Sequence, residues 1–103
     1  MNIAESLSVS CKLTTPELQQ RKRTVISNLK QNLLEKKELA DGFAYRFEAT
    51  DNIFDLISNF VKTERLCCSF FNFMISVFDD NSLWLNISGP EGAKDFITAE
   101  LGL

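Results

Sequence analysis

The sequence predicts an α+β domain in which an antiparallel sheet carries helices mainly on one face. Two kinds of segment alternate along the chain. In one kind the apolar residues have helical spacing, and in the other every second residue is apolar. The second kind of segment comes in pairs joined by turn residues, which is typical of hairpins. A sheet built from hairpins buries one face under a layer of helices. The predicted order is roughly β-α-ββ-α-ββ-α in a single domain, residues 1–103, and the order of strands in the sheet stays open.

The first part of the chain is expected to form a short strand and a helix. Val9, Cys11 and Leu13 alternate with polar residues, which predicts the strand. Residues 14–17 are typical of a helix start, because threonine caps a helix, proline fits its first turn and glutamate suits the positive end of its dipole. The helix is expected to end near Gln31.

Residues 33–48 are predicted to form a hairpin. Its turn lies at residues 40–42, where Gly42 is able to adopt a positive φ. Residues 43–48 have an aromatic side chain at every second position, so one face of this strand is expected to be buried. The charged stretch 34–39 also fits a continuation of the preceding helix, and this alternative stays open.

The second part of the chain predicts a helix, a second hairpin and a last helix. Residues 50–52 are typical of a helix cap, and the apolar spacing after them is helical. A strand is expected over 70–78, a turn at 79–82 and a return strand over 83–87, followed by a helix start at 88–91. The helical stripe consists of Ile53, Leu56, Ile57, Phe60 and Val61.

Composition argues against several classes of function. The net charge is −3, whereas a nucleic-acid binder acting by bulk charge needs a basic excess. The three basic residues at 21–23 are most simply the solvated face of a helix. The chain has no histidine, which argues against histidine-dependent catalysis and histidine-ligated zinc.

The cysteines and the termini predict a cytoplasmic protein. No apolar stretch is long enough to cross a membrane, and the N-terminus does not have the pattern of a signal peptide. Three cysteines, two of them adjacent, do not fit a secreted disulfide framework. Reduced thiols are therefore expected.

The most informative chemistry lies at Glu64, Cys67 and Cys68. Helical spacing places Glu64 beside both cysteines, on the stripe that carries core residues upstream. A carboxylate facing a core is costly unless it is paired or bound. Thiolates suit soft ions such as zinc, copper, mercury or arsenite. If the strand containing Cys11 lies beside this helix end, Cys11 adds a third sulfur.

Other interpretations of these residues stay open. In a structural interpretation the cysteines are inert core residues, and Glu64 emerges at a frayed helix end and pairs with Arg65 or Arg46. In a redox interpretation Cys11 forms a disulfide with one of the adjacent pair. An enzyme with a cysteine nucleophile is disfavoured, because a neighbouring carboxylate opposes thiolate formation and there is no histidine.

This segment contains the motif Glu64-x-x-Cys67-Cys68-x-Phe70-Phe71-x-Phe73. The motif resembles that of an uncharacterised family of small bacterial domains that occur alone or at the C-terminus of some MerR-type transcriptional regulators. The resemblance spans roughly residues 9–97, and it departs at Ser69, where family members commonly have proline. It implies that Cys11, Glu64, Cys67 and Cys68 form the site, and the MerR-type association suggests a soft-metal or thiol-reactive ligand. The residues that carry it are Cys11-Lys12-Leu13, Glu64-x-x-Cys67-Cys68-x-Phe70-Phe71-x-Phe73 and Gly89-Pro90-Glu91-Gly92-Ala93.

A second candidate surface is the back of the last hairpin. Strand alternation places Phe70, Met74, Phe78 and Trp84 opposite the apolar residues that face the helices. With helices on one side only, these aromatic residues are exposed and mark an interaction face. A homodimer formed sheet to sheet or edge to edge is expected, or the first strand of one copy adds to the sheet of another. The alternative that a further helix of the same chain covers this face stays open.

Overall fold

A computed structural model describes residues 16–103, apart from the side chains of Leu18 and Cys67. It contains three helices and a four-stranded antiparallel sheet, which confirms the α+β prediction. The strand predicted around Cys11 lies outside the described residues. The elements are α1 (Pro16–Asn32), β1 (Glu35–Glu38), β2 (Gly42–Glu48), α2 (Asp51–Cys67), β3 (Asn72–Val77), β4 (Ser82–Ser88) and α3 (Ala93–Phe96), which continues as a π-helical segment (Ile97–Leu101).

The two long helices begin where the sequence predicts. α1 starts at Pro16 and extends one residue beyond Gln31. α2 is capped by Thr50, whose hydroxyl accepts a hydrogen bond from the Ile53 amide at 3.2 Å. This bond satisfies one of the amides that a helix start leaves without an internal partner.

The first hairpin forms as predicted, and the alternative in which residues 34–39 continue α1 is wrong. β1 pairs antiparallel with β2, so that Glu35 lies opposite Arg46. The Leu39 amide closes the turn by donating to the Gly42 carbonyl at 2.9 Å. Gly42 does not adopt the positive φ considered from the sequence. Glycine is needed here because the backbone of β4 approaches position 42 closely. A Cβ at this position would lie 1.8 Å from the Ile87 carbonyl oxygen.

The strand order, which the sequence left open, is β1-β2-β4-β3. The two hairpins join through the pairing of β2 with β4, where Tyr45 lies opposite Leu85. β1 and β3 therefore form the two edges of the sheet among the described strands.

The core lies between one face of the sheet and the three helices. The described helices all contribute buried apolar residues to it, and none of them is long and apolar enough to cross a membrane. Ile75 and Val77 share this sheet face but remain substantially exposed, because they lie on the edge strand β3. The largest fully buried apolar side chains are Tyr45, Phe47, Phe60, Leu29, Ile57, Leu83, Leu85, Ile87 and Ile97.

The β3–β4 turn contains a carboxylate that predicts a dependence of stability on pH. Hydrogen bonds from the hydroxyl and the amide of Ser82 hold the pKa of Asp80 below its ordinary value. A carboxylate with a lowered pKa stabilises the fold above its unfolded pKa, and this contribution is lost as the pH falls through the folded pKa. We therefore expect Asp80→Ala to lower the melting temperature at neutral pH, with the difference disappearing in acid. Asp79→Ala, which removes the same charge from the same turn, is the matched control and should show a smaller difference.

Candidate functional site

α2 and the residue that follows it carry a buried stripe that includes an acid. Ile57, Phe60, Glu64 and Cys68 follow one another at spacings of three and four residues, and all four are buried. Glu64 retains only 1% of its exposure although it is an acid. The prediction that this carboxylate lies on the core face is therefore confirmed, and the alternative of an exposed position at a frayed helix end is wrong.

Glu64 forms an ion pair with Lys22 of α1. The Lys22 Nζ lies 3.4 Å from Glu64 Oε1, and the lysine side chain retains 12% of its exposure. Arg46, considered from the sequence as a partner, instead donates to Glu35 at 3.1 Å. Arg65, the other arginine considered, is exposed. The ion pair thus joins the two long helices on the side of the core where α2 ends.

Lys22 is a site residue that the sequence analysis missed. It sits between Arg21 and Arg23, and such a basic run is typical of a solvated helix face. A usable signal was its helical spacing to the core residues Ile26 and Leu29, four and seven residues further along α1. That spacing places Lys22 on the inward stripe, where a lysine needs an acidic partner.

α2 ends directly beside this pair. The Cys68 amide donates to the Glu64 carbonyl at 2.6 Å, and Cys68 has left the helical conformation, with φ −127° and ψ 67°. Its side chain is fully buried. Leu66, two residues before Cys68, retains 67% of its exposure, so its side chain lies at the protein surface. A buried cysteine therefore follows a buried acid by one helical turn, and the acid is paired with a shielded lysine.

The predicted set of thiol ligands extends beyond the described residues. Cys11 and the side chain of Cys67 lie outside them, so their distance from Cys68 stays a prediction. Among the described side chains, which do not include that of Cys67, no three cysteine, aspartate or glutamate residues form a group able to hold a metal ion. A site of three or more such ligands therefore needs Cys67 or Cys11 in addition to Glu64 and Cys68.

The outer sheet face is defined by Met74, Phe78 and Trp84. Trp84 lies opposite Ser76 of β3 and Arg46 of β2, which places it on the face away from the core. Met74 retains 61% of its exposure and Phe78 is similarly exposed, because the described helices pack on the other face. The Lys37 ammonium lies 4.9 Å from the centre of the Trp84 ring, and a shallow hollow of about 290 Å³ lies beside it.

Phe70 does not continue this surface, in contrast to the sequence prediction. It precedes β3 and packs beside the core, with its ring centre 4.5 Å from that of Phe71 and 5.4 Å from that of Phe96. The strand begins only at Asn72, so strand alternation does not apply at position 70.

Comparison with known proteins gives no match: no family model, no curated protein and no solved structure resembles the chain significantly. The family resemblance described from the sequence therefore stays a prediction. The functional argument depends on the chain's own residues.

Proposed function

We propose that the protein is a small cytoplasmic binding module for a soft metal ion or a thiol-reactive ligand, held through Cys11, Cys67 and Cys68 at the end of α2. The observation that carries this proposal is the Glu64–Lys22 pair, buried one turn before Cys68. A buried ion pair is weak as a stabilising device, because desolvation offsets the attraction of its charges. Its position four residues before a fully buried cysteine favours a role in binding.

The ion pair suits thiolate chemistry. A lone carboxylate beside a thiol opposes formation of the thiolate, the form that binds soft ions. Lys22 neutralises Glu64, which removes this opposition. The ligands that fit are zinc, mercury, copper and arsenite, and Glu64 serves as a fourth ligand or as an acceptor for groups around the ion.

Protection of the thiols from alkylation tests this proposal. Native reduced protein is treated with iodoacetamide, with and without one equivalent of arsenite, and the modified cysteines are mapped by peptide mass spectrometry. We expect modification in the native state without arsenite and protection of Cys67 and Cys11 with it. The same experiment on Cys11→Ser should show weaker protection of Cys67, because the site has lost one sulfur.

Unfolded protein in denaturant is the control for reagent access, since all three cysteines should then react. If the native thiols react only at the rate of global unfolding, and arsenite leaves that rate unchanged, the cysteines are structural and the binding proposal is wrong.

A second candidate function is a non-catalytic, dimeric interaction domain with structural cysteines. Two observations favour it: Cys68 is completely buried, and Met74 and Phe78 are exposed on the outer sheet face. Apolar residues clustered on a surface are typical of partner contacts. Met74→Glu should weaken a dimer formed face to face, as measured by analytical ultracentrifugation, without affecting thiol protection.

A further inference from the structure

The edge of β3 offers a row of backbone hydrogen-bonding groups. The Phe78 amide donates to the Ser82 carbonyl at 3.0 Å, and Ser76 lies opposite Trp84 two residues earlier. Bonded and non-bonded pairs alternate in an antiparallel ladder. The amides and carbonyls of Phe73, Ile75 and Val77 therefore point away from β4, and no strand within residues 16–103 pairs with them.

The two edge strands of the sheet differ in charge. β1 has the sequence Glu-Lys-Lys-Glu, and charged residues on an edge strand are the usual protection against pairing with another chain. β3 has no charged residue in Asn72–Val77. Ile75 and Val77 retain 43% and 52% of their exposure on the helix side of the sheet. β3 thus lacks the charge that shields β1.

We propose that β3 pairs antiparallel with β3 of a second copy of this chain, about a twofold axis at Ile75. This extends the two four-stranded sheets into one continuous sheet. Ile75 then lies opposite Ile75 of the second copy, and Phe73 lies opposite Val77 of the second copy. The proposal is independent of the thiol site, and it differs from a face-to-face dimer because contact is made through the strand edge.

A second copy is the occupant that this edge fits best. The twofold register pairs the outward amides and carbonyls of all three residues and places apolar side chains against apolar ones. The charged edge of β1 would instead place lysine and glutamate against Ile75 and Val77. A charged peptide is disfavoured for the same reason, because β3 offers no charge to compensate it.

The first test is oligomeric state by analytical ultracentrifugation of the full chain over a range of concentrations. We expect a dimer in the wild type. Ile75→Lys should weaken it by about tenfold or more, because two ammonium groups then face one another across the axis. Leu34→Lys is the matched control, since Leu34 is also exposed but lies beside β1. It should leave the dimer unchanged.

Two outcomes of the ultracentrifugation would overturn the proposal. One is a monomeric wild type, including the case in which residues 1–15 of the same chain cover the edge. The other is a dimer that is lost in Met74→Glu but retained in Ile75→Lys, which would assign the contact to the outer sheet face.

The register is tested by cysteine cross-linking, which also serves if Ile75→Lys fails to fold. In the proposed register, Ile75→Cys brings two thiols within the range of a disulfide, about 5.5 Å between Cα atoms. Val77→Cys is the control, because its two copies lie about 13 Å apart along the strands. Peptide mapping separates the new cross-link from the native cysteines. A cross-link at 77 and not at 75 contradicts the proposal.

Discussion

Lys22→Met should lower the free energy of unfolding by about 3 kcal/mol at neutral pH, because it removes the ammonium partner of a buried carboxylate. The methionine keeps most of the lysine's apolar length, so the loss reports the charge. Lowering the pH should recover part of the stability, since protonation of Glu64 removes its buried charge. Urea unfolding followed by circular dichroism at two pH values measures both effects.

The controls for this prediction separate the ion pair from general effects of charge. Lys62→Met removes an exposed lysine from α2 and should change the stability by less than about 0.5 kcal/mol. The double variant Lys22→Met, Glu64→Leu should be more stable than Lys22→Met alone, because an apolar pair carries no desolvation penalty. If Lys22→Met is as stable as the wild type, the ion pair between Lys22 and Glu64 does not contribute to the stability of the fold.

Gly42→Ala should destabilise the fold by about 3 kcal/mol or more, because the added methyl group collides with backbone. The alanine Cβ would lie 1.8 Å from the Ile87 carbonyl oxygen and 2.7 Å from the Ser88 Cα. Both atoms belong to β4, the strand that joins the two hairpins, so the contact is relieved only by separating β2 from β4. Thermal unfolding measures the loss.

Gly102→Ala is the matched control for Gly42→Ala. Gly102 has a positive φ of 64°, and the nearest group to an added Cβ is the flexible ammonium of Lys30 at 3.3 Å. The cost at this position is therefore the dihedral strain alone, about 1 kcal/mol. Equal losses of stability in the two variants would show that the close approach of β4 is not what requires glycine at position 42.

The sequence predicts the local elements well, because their signals are local. Thr50 and the stripe from Ile53 onward determine α2 through capping and helical spacing. The turn at residues 40–42 likewise predicts the first hairpin. The pairing of β2 with β4 depends on contacts between residues about 40 positions apart, such as Tyr45 and Leu85, and alternation does not encode it.

The candidate site was predicted in part. The inward position of Glu64 follows from helical spacing, whereas its partner Lys22 depends on how α1 packs against α2. The exposure of Ile75 and Val77 also depends on strand order, since an apolar strand at the edge looks like a central one in sequence. Both features arise from tertiary contacts that local periodicity does not specify.

Native mass spectrometry of the reduced protein with one equivalent of Hg(II) tests the central claim most directly. The account predicts one ion bound per chain, with binding lost in Cys67→Ser and retained in Lys62→Met. The same spectrum reports whether the chain is a dimer. Absence of an adduct, or an adduct that persists when all three cysteines are replaced by serine, would contradict the claim that the end of α2 is a thiol site.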